Sequence, residues 1–213
     1  RTGVVVAPVL WPGYSAYHSG FPGTLSLKPE TMEQVLFETA DMLMKHGFHR
    51  FLFFNYHGGN NIVQSNVIHR INHTTAATAV AIGHGSALQK EADADEDFFD
   101  WHAGKSETSI MLYLRPDLVR MDRAEKPDIR FTDRMKKLQE AVKTNPDLGE
   151  VWDSLFGVPV ETQKGGASHE LSTNGVWSLN SPKEATAEIG QKTVEAMVAK
   201  AVKFIKAWLA AEK

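Results

Sequence analysis

The stretch RFLFFNYHGGNN, residues 50–61, decides the fold. Arg50 to Phe54 is an uninterrupted aromatic and aliphatic run, the pattern of a strand buried on both faces, as in a parallel sheet. It runs directly into Asn55, His57, Gly58, Gly59 and Asn60, a turn, and the spacing then predicts a helix from about Asn61 to His73. Upstream, Pro29 suits a first helical turn, and Met32, Val35, Leu36, Leu43 and Met44 recur at helical spacing until Gly47. Downstream, Thr78 to Ile82 reads as another buried strand. Gly3 to Leu10 also reads as a β-branched buried strand, followed by a loop over Trp11 to Gly23. Strand, helix, strand, helix, strand implies a parallel α/β sheet with right-handed crossovers. In such sheets ligands bind beyond the carboxyl ends of the strands, which points to the loop after Phe54.

Farther along, Glu107 to Leu114 reads as a helix ending before Pro116. Pro127 to Gly175 is polar and turn-rich, with at most one helix near Arg134 to Val142. Glu184 to Leu209 carries Ala187, Val194, Met197, Val198, Ala201, Val202, Ile205 and Leu209 on one stripe, the mark of a long amphipathic helix covering a sheet face. The 213 residues fit a single domain, residues 1–213.

Composition excludes several classes of function. Hydrophobic residues at 42% and charged residues at 23% are ordinary for a globular protein. A net charge of -3 without a basic block argues against nucleic acid as partner. With no cysteine, thiolate metal sites, disulfides and cysteine nucleophiles are all absent, so any metal must sit on His, Asp or Glu. The apolar run Val4 to Leu10, broken by Pro8, is far below the roughly 20 residues that span a bilayer. No membrane partner and a cytoplasmic location are the expectations. The start at Arg1, without a methionine and directly before a strand-like segment, suggests that residues upstream are missing.

Three stretches could carry chemistry. His57 follows a strand and precedes Gly58 and Gly59, which let the backbone bend tightly and let a metal or substrate approach. A hydrophilic turn and helix cap would look the same. Asp100, Trp101, His102 and Glu107 bring two carboxylates and an imidazole within eight residues, although an acidic residue in a first helical turn is common simply because it complements the helix dipole. Tyr14, Ser15 and His18 lie on a loop stiffened by Pro22 and Gly23, where Ser15 reads as a substrate hydrogen-bond donor, since no base is placed beside it.

In this order, these stretches resemble the creatininase (creatinine amidohydrolase) family. The resemblance runs through Ala7-Pro8, Tyr14-Ser15, His18 with Phe21-Pro22-Gly23-Thr24, Asn55 with His57-Gly58-Gly59-Asn60, and His102-Ala103-Gly104 with Glu107-Thr108-Ser109. It resumes weakly at Gly175 and through Ala185-Thr186 to Gly190. It implies a three-layer α/β/α fold with a mainly parallel central sheet, and two divalent ions, zinc or manganese with iron a third candidate. It implies that His57 and Glu107 are metal ligands, His102 and Asp100 catalytic groups, and Ser15, Tyr14, His18, Gly58 and Trp101 substrate contacts. It also implies a homo-oligomer, a hexamer.

Some positions depart from the family pattern. The Glu-x-His and Asp of its first metal motif precede the segment that aligns with Arg1, so an N-terminal strand and metal-motif segment of roughly 50 residues is expected to be missing, a length taken from a strand, helix and loop. Gly59 stands where creatininase has a glutamate, Lys105 and Tyr17 where relatives are acidic, and the glycine-rich tail motif is altered around Ser178. These differences argue against creatinine itself. The expected activity is hydrolysis of a C–N bond in a small cyclic amide or formamide. Ring opening of an inosose-type ketone and a metal-free scaffold of the same fold are the alternatives.

Overall fold

The computed structural model describes residues 1–83, 100–158 and 160–211, which separate into two compact units. The first contains residues 1–15, 25–83 and 195–211; the second contains 16–24, 100–158 and 160–194. No described helix is long and apolar enough to cross a membrane.

In the first unit, helix α1 spans Pro29–Lys45, with Pro29 in the first turn, where its missing N–H has no partner to lose. It ends as a Schellman motif: Gly47, at φ +89, donates to Met44 O, and Phe48 N donates to Leu43 O. Strand β1 (Arg50–Asn55) and strand β2 (Thr78–Gly83) are parallel, paired from Arg50 with Thr78 to Asn55 with Gly83. Between them runs α2 (Asn61–Thr74), the crossover helix. Its Val63, Val67 and Ile71 recur every four residues and are fully buried, each worth about 1.5–3 kcal/mol. Val67 and Ile71 join Ala40, Ala77 and Ala79 in the core, with Leu36, Phe37, Phe51 and Phe53 packed against it. The Asn72 amide covers the edge of β2, donating to Ala79 O (2.9 Å) and accepting from Ala79 N (2.6 Å).

Two expectations fail in this unit. Gly3 to Leu10 forms no strand, and Val5, Val6 and Val9 are 76%, 84% and 90% exposed. Its β-branched residues have no ladder partner among the described strands, and β propensity is realised only on a paired, half-buried surface. Strand β1 forms as expected but is not buried on both faces, since Phe54 is 55% exposed.

In the second unit, β3 (Asp100–His102) pairs antiparallel with Trp177–Ser178, the last strand, β4. Helix α3 (Lys105–Leu114) follows β3 and stops where Pro116 pushes Arg115 out of helical geometry, to φ -148 and ψ 66. The segment 127–175 holds more order than its polarity suggests. It contains α4 (Asp133–Thr144), N-capped by the Thr132 side chain, then α5 (Gly149–Asp153) and α6 (Ser168–Leu171). Phe131, Met135, Trp152, Leu155, Leu171 and Trp177 form the core of this unit. The buried Trp152 indole donates to Met135 O at 3.1 Å, as a buried indole N–H must find an acceptor. Phe156 stands edge-on to Trp152 at 4.5 Å and to Trp177 at 5.2 Å.

The last helix, α7 (Ala187–Ala211), begins in the second unit and continues in the first. Val194, Met197, Val198, Ala201, Val202, Ile205 and Leu209 form the expected half-buried stripe, whereas Ala187, expected on it as well, is exposed in the helix's first turn. At its start, Gly190 lies against the backbone of Ser109 and Ile110, so close that a Cβ would overlap the Ser109 carbonyl. The buried Ser109 hydroxyl donates to Lys105 O (2.6 Å) and accepts from Thr186 N (3.1 Å).

Candidate functional site

In the first unit, the carboxyl end of β1 is organised by Asn55. Its amide donates to His57 O (2.9 Å) and Asn61 Oδ1 (2.8 Å), while its oxygen accepts from His57 N and Asn60 Nδ2, both at 3.2 Å. One buried side chain thereby folds the His-Gly-Gly-Asn segment into the 3-10 turn Gly58–Asn60 that opens α2. Asn60 in turn accepts from Tyr14 N at 2.9 Å, which brings the Tyr14-Ser15 loop alongside. Ser15 N donates to Ser26 Oγ at 2.9 Å, and Ser15 Oγ lies 3.5 Å from His57 Nε2. That is the outer limit of a hydrogen bond, too long for an activated nucleophile. Tyr14, Ser15, His57 and Gly58 are therefore neighbours.

The second unit holds His18, Asp100, Trp101, His102 and Glu107. After β3 the chain turns through Ala103 at φ +53, a left-handed conformation rare for a residue with a side chain. Glu107 holds this turn: Oε2 accepts from Ala103 N at 2.9 Å, and Oε1 lies 3.3 Å from His102 Nδ1. Since a carboxylate only accepts, Nδ1 of His102 is the donor in this contact. Asp100 accepts from Ser106 N (2.9 Å), an orphan donor in the first turn of α3, and from Ser178 Oγ (2.6 Å). Trp101 packs edge-on against Phe156 at 4.6 Å.

His18 sits at the end of the 3-10 turn Ala16–His18, its ring edge-on to His102 at 4.9 Å. Its Nδ1 is hydrogen-bonded to Ser168 Oγ, 150 residues away in sequence. The Ser168 hydroxyl has one proton, and it donates this to Tyr17 O at 2.9 Å, where His169 Nδ1 also lies at 2.9 Å. Ser168 is therefore the acceptor for His18, whose proton is on Nδ1 and whose acceptor nitrogen is Nε2. Helix α6 is pinned in place by Glu170, which accepts from Ala167 N at 2.7 Å. Nothing local in the sequence singles out Ser168 or His169, because their partners come from the opposite end of the chain.

Each unit offers imidazole donors, His57 in the first and His18 and His102 in the second, and the second adds the carboxylates of Asp100 and Glu107. Donors of this kind, without thiolate, are those that zinc and related borderline divalent cations take. His102 and His18 each have Nδ1 engaged by an oxygen, the arrangement that orients an imidazole toward a ligand at Nε2.

A parallel βαβ crossover with polar groups gathered after its first strand belongs to the α/β class. Within it, the creatinine amidohydrolase family model matches residues 1–205, and the chain belongs to that family. A mycofactocin precursor peptide peptidase from Mycolicibacterium smegmatis is 34% identical over 122 residues, 57% of this chain and 44% of that protein. A creatinine amidohydrolase from Pseudomonas putida is 31% identical over 141 residues, 58% of this chain and 54% of that protein. The matched stretches thus span about half the length of these relatives. A mutant creatininase of Zn-Zn type is similar in fold, with a TM-score of 0.66 and 25% identity over 97% of this chain and 76% of that one.

Proposed function

We propose that this chain acts in a metal-dependent amidohydrolase that opens the C–N bond of a small cyclic amide or formamide. The observation that carries this reading is the family match across residues 1–205, which contains His57, His102 and Glu107. The relatives named above are a peptidase and an amidohydrolase, and both names denote cleavage at an amide C–N bond.

In this reading His57 and Glu107 hold divalent cations, zinc or manganese with iron a third candidate, which supply an acidified water and a polarised carbonyl oxygen. His102 takes a proton from the attacking water at Nε2 and returns it to the departing nitrogen, so that water and amide become carboxylate and amine. Asp100 acts through its hold on the start of α3, keeping Glu107 in register with His102. Tyr14, Ser15, His18, Gly58 and Trp101 contact the substrate. The working assembly is a homo-oligomer, a hexamer by family resemblance, located in the cytoplasm.

The test is a screen of the full-length protein, loaded with zinc or manganese, against creatinine, formamides, hydantoin-like rings, short peptides and inososes. Turnover of an amide with about two divalent ions per chain is the expected result. Turnover of inososes alone would replace C–N with C–C cleavage. A chain that binds no divalent ion and turns over nothing would be a scaffold.

A further inference from the structure

We propose that His69 and His73 form a second, surface metal site, a two-imidazole chelate for a first-row divalent cation on the outer face of α2. The two residues are one turn apart on that helix, and their rings are stacked with centroids 4.0 Å apart and planes inclined by 26°. Residues four apart on a helix are surface neighbours, and this is the spacing at which two histidines share one cation.

Three features make the pair a site. Both imidazoles are exposed, so a cation reaches them without opening the fold. The helix is fixed from behind: Val67 and Ile71 are buried, and His69 and His73 each lie two residues farther on, roughly 200° around the helix. The backbone that sets the imidazole spacing is therefore held by the core, so little ordering entropy opposes chelation. The neighbouring cation Arg70 is also drawn away from the pair. Its guanidinium sits 3.5 Å over the Phe37 ring and donates to Gln34 Oε1 at 3.2 Å, both on α1.

Chemistry defines the ligand class. Two neutral imidazoles with solvent completing the shell suit Cu2+, Ni2+ and Zn2+, with Cu2+ held most tightly. Hard oxygen-seeking cations such as Mg2+ and Ca2+ find no carboxylate in the pair and do not bind there. The site shares no residue with His57, His102 or Glu107, so it stands or falls independently of the proposed hydrolase.

The decisive comparison keeps the number of histidines and changes their spacing. Untagged full-length protein is passed over immobilised Ni2+, which samples histidines at the protein surface. Wild type is expected to be retained, with His69→Ala and His73→Ala eluting at lower imidazole concentration. The rearranged double variant, His73→Thr with Thr74→His, places the imidazoles five residues apart and is expected to elute like the single variants. In solution, Cu2+ affinity at this site should fall about 100-fold in each variant, the low end of the gain that two linked ligands give over one. Positions 69, 73 and 74 are all exposed, so folding is not at issue. Retention of the rearranged variant equal to wild type, or failure of wild type to bind, overturns the proposal.

Discussion

Ser168 accepts the Nδ1 proton of His18 and passes its own hydroxyl proton to the carbonyl oxygen of Tyr17. Ser168 is only 3% exposed, so water does not readily substitute for either partner. Ser168→Ala should let His18 sample both tautomers, seen by 15N NMR as a loss of the protonated-Nδ1 signature. Activity should fall about 10–100-fold, the scale seen when the partner that orients a working imidazole is removed, because His18 would then meet the substrate in mixed tautomers. The unpaired groups should also cost about 1–3 kcal/mol of stability. A wild-type His18 already protonated on Nε2 would contradict the assignment.

Glu107 performs two tasks that a single substitution can separate. Its contact with Ala103 N maintains a left-handed turn, and its contact with His102 Nδ1 sets the imidazole. Glu107→Gln can keep the first through its amide oxygen but loses the charge facing His102. Hydrolysis and metal affinity should both drop by at least the about 10–100-fold that loss of a ligand's outer partner gives, because the charge of the proposed metal ligand is lost as well, while circular dichroism is unchanged. Full activity in this variant would leave the carboxylate without a chemical role.

His57 lies after the end of β1, and the loop that holds it is tied mainly through Asn55. His57→Ala should abolish hydrolysis and lower the metal content measured by mass spectrometry, with the thermal midpoint little changed. A variant that retains both metal and turnover removes His57 from the ligand set.

Gly190→Ala tests packing at the start of α7. An exposed helical Gly→Ala change gains up to about 1 kcal/mol from propensity. Here the added methyl meets the Ser109 carbonyl, which is backbone and cannot swing aside. Overpacking of about 1–3 kcal/mol should prevail. Net of the propensity gain a loss of up to about 2 kcal/mol remains, and the thermal midpoint should fall by about 2–4 °C for each kcal/mol in a domain of this size. A midpoint equal to or above wild type would show that the helices separate freely.

The sequence reveals features governed by local rules. Helix α1 with its Gly47 stop, strand β1 with the turn that follows it, helix α2 and the terminal helix all follow from spacing and capping, and each forms where the pattern places it. Gly3 to Leu10 misleads because its valines satisfy the strand pattern while the ladder partner it needs is not among the described strands. Segment 127–175 misleads in the opposite sense. Its core residues Phe131, Met135, Trp152, Leu155 and Leu171 are too widely spaced to leave a period, yet they meet in one cluster. The site divides similarly: the Glu107 to His102 contact spans five residues and fits a first-turn carboxylate, whereas Ser168 and His18 meet only through the tertiary fold.

Asp153 supplies a test of stability against pH. Asp153 is exposed, and partial desolvation against the neighbouring chain raises its carboxyl above the ordinary value, with the negative charge of Glu150 one turn earlier adding to the shift. A group whose folded pKa is raised stabilises the fold most below its unfolded pKa, about 4, and that contribution is lost as pH rises through the folded value. At neutral pH the ionised Asp153 is therefore a liability, with its charge at the C-terminal end of α5, where the helix dipole is also unfavourable. Asp153→Asn should unfold at a higher temperature than wild type at pH 7. The advantage should shrink as the pH falls and vanish below about pH 4, where the wild-type carboxyl is protonated in both states. Thermal midpoints of both proteins from pH 3 to pH 8 check this; a gap that stays constant across the range would assign the effect to packing and remove the charge from the explanation.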